Sequence, residues 1–250
     1  MNKLLELKGV SMKYQTATDE INAIENLSFY CNEGEFLSLI GPSGCGKTTV
    51  LSIIAGLLSP SEGEVLVGGE KVGKDKKALG YMLQKDQLFP WRTIEKNILL
   101  PLEIKKLCDD EHKRYARELL NKYGLGDFKD KYPDQLSGGM RQRAALIRTL
   151  VADPGLLLLD EPFSALDYQT RLSVCDDVYN IIKAEGKTAV LVTHDISEAI
   201  SMSDIIVVLT NRPAQVKSIH RPEIKGASPL RRRESPEFGA WFEKIWKELN

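Results

Sequence analysis

Gly41-Pro42-Ser43-Gly44-Cys45-Gly46-Lys47-Thr48 stands directly after the apolar run Phe36 to Ile40 and before the helical pattern Val50 to Ala55. It matches G-x-x-x-x-G-K-[ST] at every fixed position, in the strand–loop–helix setting that gives the pattern its meaning. The glycines let backbone N–H groups turn inward around an anion, and the following helix presents its positive end to the same charge. Lys47 then supplies charge to β and γ phosphates, and the Thr48 hydroxyl is a ligand for Mg²⁺. Residues 41–48, together with Thr49, are the expected contacts of a nucleotide. A chain built on this loop is constrained to an α/β sheet with the nucleotide at one edge.

A second feature suits the same edge. Leu156-Leu157-Leu158-Leu159-Asp160-Glu161 reads as a buried strand delivering two carboxylates to its carboxyl end. Asp160 is placed to hold the metal through water, and Glu161 to polarise an attacking water. A third feature, Leu136-Ser137-Gly138-Gly139-Met140, puts a serine and two glycines just before a helical pattern, a second anion-binding helix start in one chain. A simple kinase or GTPase has no need of one. The guanine reader N-K-x-D is also missing, because Asn121-Lys122-Tyr123-Gly124 ends on glycine.

The remaining pattern is strands alternating with helices, which implies a mainly parallel sheet covered on both faces. Strands are expected near Leu4 to Leu7, Ile24 to Phe29, Phe36 to Ile40, Glu64 to Val67, Leu79 to Leu83 and Leu156 to Asp160. Three more are expected near Ala189 to Thr193, Ile205 to Thr210 and Val216 to His220. Tyr168 to Lys183 carries Leu172, Cys175, Tyr179 and Ile182 at helical spacing. Residues 89–152 hold no convincing strand but two helical stretches, Glu111 to Tyr123 and Met140 to Val151, and read as a helical insertion. Ser235 and Pro236 open a last helix whose stripe of Phe238, Trp241, Phe242, Ile245 and Leu249 needs a packing partner.

Composition excludes several classes. With 28% charged residues and a net charge of -1, bulk electrostatic binding of nucleic acid is disfavoured. No apolar run approaches the roughly 18–20 residues of a membrane helix, and the first twenty residues lack the pattern of a secretory signal. Cys31, Cys45, Cys108 and Cys175 include no C-x-x-C pair, so neither zinc nor a disulfide framework is expected. These features describe a globular cytosolic chain.

In order along the chain, Gly41…Thr48, Gln84, Leu136…Met140, Leu156…Glu161, Ser164-Ala165-Leu166-Asp167 and His194 resemble the ATP-binding cassette ATPases. The resemblance spans essentially the whole sequence. It implies a P-loop nucleoside triphosphate hydrolase core with an N-terminal antiparallel β part and an inserted α-helical signature subdomain. Residues 1–88 and 153–220 would form the core, 89–152 the signature subdomain, and 221–250 a C-terminal tail and helix. ATP and Mg²⁺ are the implied cofactors. Carried over residue by residue, Tyr14 would stack on the adenine, and Gln84 would reach the metal and the attacking water. Thr48, Gln84 and Asp160 would form the metal set, and Glu161, His194 and Gln84 the catalytic set. Ser137, Gly138 and Gly139 would meet the nucleotide of a partner cassette in an ATP-bound homodimer, with Asp167 at the dimer interface.

Within the family, Gln84-Lys85-Asp86-Gln87-Leu88-Phe89-Pro90-Trp91 is similar to the nitrate/sulfonate/taurine importers, with Phe89 where leucine is habitual. Ser164 stands where that branch more often has glycine. Tyr168-Gln169-Thr170-Arg171, Arg212-Pro213, the run Arg231-Arg232-Arg233 and Trp246 also fit that branch. The arginine run by itself reads as a solvated turn. The implied role is the ATP-hydrolysing subunit of an importer, peripheral on the cytoplasmic face of the membrane. Its implied partners are integral membrane permease subunits and, indirectly, a solute-binding protein, with no nucleic acid. The alternatives are a cassette serving another small solute, such as a vitamin precursor, or a non-transport cassette ATPase. Non-transport cassettes usually carry a long coiled-coil insertion or two cassettes in one chain, and neither is present.

Overall fold

The chain opens with a hairpin longer than its hydrophobic pattern indicates. A computed structural model describes residues 2–15, 19–72 and 79–249, so the end residues of the expected core and tail, Met1 and Asn250, lie outside it. Strands β1 (Lys3–Gln15) and β2 (Glu20–Asn32) are antiparallel and 13 residues each. The expected strands at Leu4 and Ile24 are only parts of them. The reason lies at Gly9 and Asn26, both in the left-handed region, where the register shifts between Leu7 and Val10. A bulge of this kind breaks the alternation of inward and outward side chains and hides the strand's continuation.

The elements that follow are β3 (Phe36–Ile40), α1 (Lys47–Ile54), β4 (Glu62–Val67), β5 (Glu70–Lys71) and β6 (Leu79–Met82). Next come α2 (Ile94–Lys105), α3 (Asp110–Lys122), α4 (Gly138–Leu150), β7 (Leu156–Asp160) and α5 (Tyr168–Ala184). The chain ends with β8 (Thr188–Val192), α6 (Ile196–Met202), β9 (Ile205–Leu209), β10 (Val216–His220), α7 (Pro229–Arg233) and α8 (Pro236–Leu249). An antiparallel sheet has the order β2-β1-β4-β5. The larger sheet has the order β10-β9-β3-β8-β7-β6, parallel except for the antiparallel edge strand β10.

Every residue of β3, β7, β8 and β9 is buried, as strands covered on both faces require. Because these strands are parallel, the loops after β3, β7 and β8 all emerge at one edge, where such sheets bind ligands. Between residues 89 and 152 the structure has α2, α3, α4 and two short 3₁₀ turns, and α4 packs against α2, α5 and β6. Helix α2 was not expected because Pro101 lies within it. The ring removes one N–H, but the helix runs on to Lys106, whose left-handed conformation ends it.

At the far end, α8 lays Phe238, Trp241, Phe242, Ile245 and Leu249 against Ile196, Ile200, Ile206 and Val208, the partner its stripe requires. The arginine run is not a solvated turn. It forms α7, where Arg232 donates to the Ser201 carbonyl and to the Tyr179 hydroxyl at 3.2 and 2.9 Å.

Candidate nucleotide-binding site

The loop 41–46 begins where β3 ends. A side chain at Gly41 would meet Leu209 Cβ at 3.1 Å, and one at Gly46 would meet the Ala23 carbonyl at 3.3 Å, so β9 and β2 wall the loop closely. Gly44 and Gly46 hold φ of 73° and 121°, conformations that favour glycine. Lys47 is buried, and its Nζ donates to the Gly41 and Pro42 carbonyls, both at 2.9 Å. Helix α1 starts at Gly46 with no side-chain cap and no acid in its first turn, which leaves its positive end open to an anion. The Tyr14 hydroxyl lies 3.3 Å from Thr49 Oγ1, bringing the β1 tyrosine beside the same helix.

Asp160 is the last residue of β7 and is 7% exposed. Thr48 Oγ1 donates to its Oδ1 at 3.3 Å, and the Tyr81 hydroxyl donates to its Oδ2 at 3.4 Å. Burial raises its pKa above the ordinary carboxylate value, against the lowering effect of the Thr48 hydrogen bond. A bound cation would reverse that penalty, and the oxygens of Thr48 and Asp160 form the hard donor set that Mg²⁺ takes. Burial likewise pushes the Tyr81 hydroxyl up to about 12, with the charge of Asp160 adding to it, so it remains a donor.

Glu161 follows at φ 45°, a costly conformation for a side-chain-bearing residue that clusters at functional sites. Its N–H donates to the Val192 carbonyl at 2.9 Å, and its Oε2 lies 3.2 Å from His194 Nδ1. The His194 turn is built from below. Asp195 caps α6 by accepting from the Ser197 and Glu198 N–H groups, while its own N–H donates to Thr193 Oγ1 at 3.0 Å. Thr193 in turn donates to the buried Glu198 at 2.6 Å. Burial pushes the Glu198 carboxyl up to about 6 despite that hydrogen bond.

Gln84 reaches this group through Ser164, a residue with no role evident from the sequence alone. Its Nε2 donates to Ser164 Oγ at 3.3 Å, and Ser164 Oγ donates to the Glu161 carbonyl at 3.0 Å. Tyr81 was missed as well. A polar-tipped residue in the short edge strand β6 was the available signal, since its hydroxyl needs a partner.

Ser137, Gly138 and Gly139 are not brought to the loop within one chain. Ser137 caps α4 by accepting from the Met140 N–H at 3.3 Å, and the glycines face Leu166 and Val174, at 3.0 and 2.8 Å from an added Cβ. Among the described residues no hydrogen bond joins this turn to residues 41–49. Asp167 caps α5 by accepting from the Thr170 N–H at 3.1 Å, and hydrogen bonding with Thr170 holds its carboxyl below the usual range.

Residues 24–164 match the ABC transporter family. The chain belongs to the ATP-binding cassette family. It is 50% identical over 98% of its length, and 95% of the relative's, to the uncharacterized ABC transporter ATP-binding protein YtlC of Bacillus subtilis. It is 39% identical over 98% of its length, and 94% of the relative's, to the aliphatic sulfonates import ATP-binding protein SsuB of Bacillus cereus. The ATP-binding cassette MJ0796, solved as a dimer in a post-hydrolysis state with ADP and Pi, superposes with a TM-score of 0.73 at 33% identity. That match covers 87% of this chain and 98% of that one. The cassette is thus an ATPase working on ATP with Mg²⁺. Its own residues fit both groups, through the uncapped α1 terminus beside Lys47 and the oxygen pair of Thr48 and Asp160.

Proposed function

We propose that this cassette is the energy-coupling subunit of an importer for a small solute of the nitrate, sulfonate or taurine kind. The observation that carries the reading is the convergence of Lys47, Thr48, Asp160, Glu161 and His194 at one sheet edge, in a chain resembling a sulfonate-import ATPase along its whole length. Lys47 and the 44–49 backbone bind the triphosphate, Thr48 and Asp160 hold the metal with Gln84, and Glu161 takes the proton of the attacking water. His194 orients Glu161 and meets the γ-phosphate. The residues left aside within one chain, Ser137 to Gly139 and Asp167, face a second copy, so that two nucleotides are enclosed in a homodimer. Tyr14 lies under the adenine. The pair works on the cytoplasmic face of the membrane, bound to permease subunits that a solute-binding protein supplies. Residues 89–152 act as the signature subdomain on the core of 1–88 and 153–220, with 221–250 as the tail.

The surface for the permease follows directly on Gln84. Leu88 is buried and fills the junction between sheet and helices, whereas Trp91 is 71% exposed with its ring 5.1 Å from that of Phe89. The turn that presents it is rigid. Buried Asn97 accepts from the Phe89 N–H at 2.7 Å and donates to the carbonyls of Phe89, Arg92 and Thr93 at 3.0–3.1 Å. Exposed aromatics on a fixed turn mark partner surfaces. Trp91→Ala is therefore expected to leave ATPase activity of the isolated subunit intact and to weaken assembly with the permease about thirtyfold, or ~2 kcal/mol. Co-purification with the permease measures it; unchanged assembly and transport-coupled turnover would remove the docking role.

The cassette itself does not select the solute. Titration calorimetry of the isolated chain with taurine, an alkanesulfonate and nitrate should give no saturable heat, while the solute-binding protein of the same system binds one of them. Specific binding by the cassette would refute this division of labour.

A further inference from the structure

The turn joining β9 to β10 emerges beside the phosphate loop, because β9 pairs with β3 in parallel. Arg212 donates from its guanidinium to the Gly44 carbonyl at 2.7 Å, a contact between residues 168 apart in sequence. Gly44 is the exposed apex of the loop, and a side chain added there would meet nothing within 4 Å. Cys45 N–H, on the other side of the same peptide, donates inward to the Pro42 carbonyl at 3.3 Å. In a trans peptide the C=O and N–H point opposite ways, so this plane is pinned at both edges. Its carbonyl is turned out toward the guanidinium. Two further carbonyls of the loop, those of Gly41 and Pro42, are held by Lys47.

Arg212 is presented by a stitched turn. Thr210 Oγ1 donates to the Asn211 and Pro213 carbonyls and accepts from the Gln215 N–H, at 2.9–3.1 Å. Ala214 is fully buried; its N–H donates to the Ala23 carbonyl, and its carbonyl accepts from the Glu25 N–H, both at 3.0 Å. Gln215 Nε2 donates to Glu25 at 2.6 Å. The turn is thus fastened to β2, and β2 also walls Gly46. A cation set this firmly at the loop apex does two things for an anionic ligand. It keeps a carbonyl dipole from facing the phosphates, and it adds positive charge beside the loop.

We propose that Arg212 is a positioning residue of the nucleotide site, holding the 44–45 peptide in the orientation that receives the triphosphate. This rests on the nucleotide reading given above. Preorganisation of this kind lowers the cost of binding rather than the barrier to hydrolysis. In Arg212→Ala, the Kd for Mg·ADP by calorimetry and the KM for Mg·ATP should each rise about fivefold, with kcat changed less than twofold. Arg212→Lys, which keeps charge and donor, should return both to within about twofold of the natural chain. Arg212→Glu should weaken binding beyond the alanine variant. Circular dichroism melts of all three accompany the titrations. Nucleotide affinity of Arg212→Ala within twofold of the natural chain would overturn the proposal. So would a loss that lysine does not restore, or one that tracks a fall in melting temperature rather than side-chain charge. If the natural chain itself bound no Mg·ADP, the nucleotide reading would fail first, and the two failures are separate outcomes of one titration.

Discussion

Lys47→Ala is expected to reduce Mg²⁺-dependent ATP hydrolysis about 10²- to 10³-fold, the scale on which losing one preorganised electrostatic contact acts. Lys47 is 6% exposed, and its two hydrogen bonds go to backbone carbonyls of the loop that holds it. Its charge is therefore fixed at the site before the nucleotide arrives, and no reorganisation is needed as charge builds on the transferring phosphoryl group. The fold should survive the change. The Pro42 carbonyl keeps the Cys45 N–H, so the lost contacts weaken the loop by about 1 kcal/mol per bond rather than unfolding the sheet. Phosphate-release assays with a melting curve on the same preparation measure both quantities. A folded alanine variant hydrolysing ATP at the natural rate would remove Lys47 from the site.

Lys47 was legible because its chemistry is local: strand, glycines, lysine and helix follow one another within 20 residues of chain. The buried strands β3, β7, β8 and β9 were legible for a related reason, as continuous apolar runs suit sheets covered on both faces. Three parts of the molecule resisted reading, each through a different physical cause. The extension of β1 and β2 was hidden by bulges at Gly9 and Asn26, which put Val10, Ser11 and Met12 on the buried side in succession. Helix α2 was hidden by Pro101, which costs a helix one bond but not its packing against α4. Tyr81, Ser164 and Arg212 were hidden because their roles are contacts between distant segments. Nothing near Arg212 in the chain announces that its guanidinium ends at Gly44. The resemblance places Ser137 to Gly139 at the nucleotide of a partner cassette; in one chain that turn caps α4, and on that reading its use as an anion site calls for a second copy.

That requirement bears on the variant expected to have the other large effect. Glu161→Gln should bind Mg·ATP like the natural chain yet cleave it at least about 10²-fold more slowly, because glutamine cannot accept the proton of an attacking water. The substitution keeps the shape of the site. The backbone of residue 161 stays bonded to the Val192 carbonyl and to the Ser164 hydroxyl, and an amide can still meet His194 Nδ1 where Oε2 now lies at 3.2 Å. With hydrolysis blocked, closure of two cassettes around two nucleotides has no exit, so the ATP-bound dimer should accumulate. Asp160→Asn should behave differently, since its carboxylate bonds Thr48 and Tyr81 and, in the proposed site, would carry the charge for the metal. That variant should lose the Mg²⁺ dependence of nucleotide binding and form no stable dimer. Size-exclusion chromatography with light scattering, with and without ATP and Mg²⁺, separates these outcomes. A Glu161→Gln chain that stays monomeric at saturating Mg·ATP would mean that nucleotide does not sit between two copies. The signature turn would then be a capped helix start and nothing more.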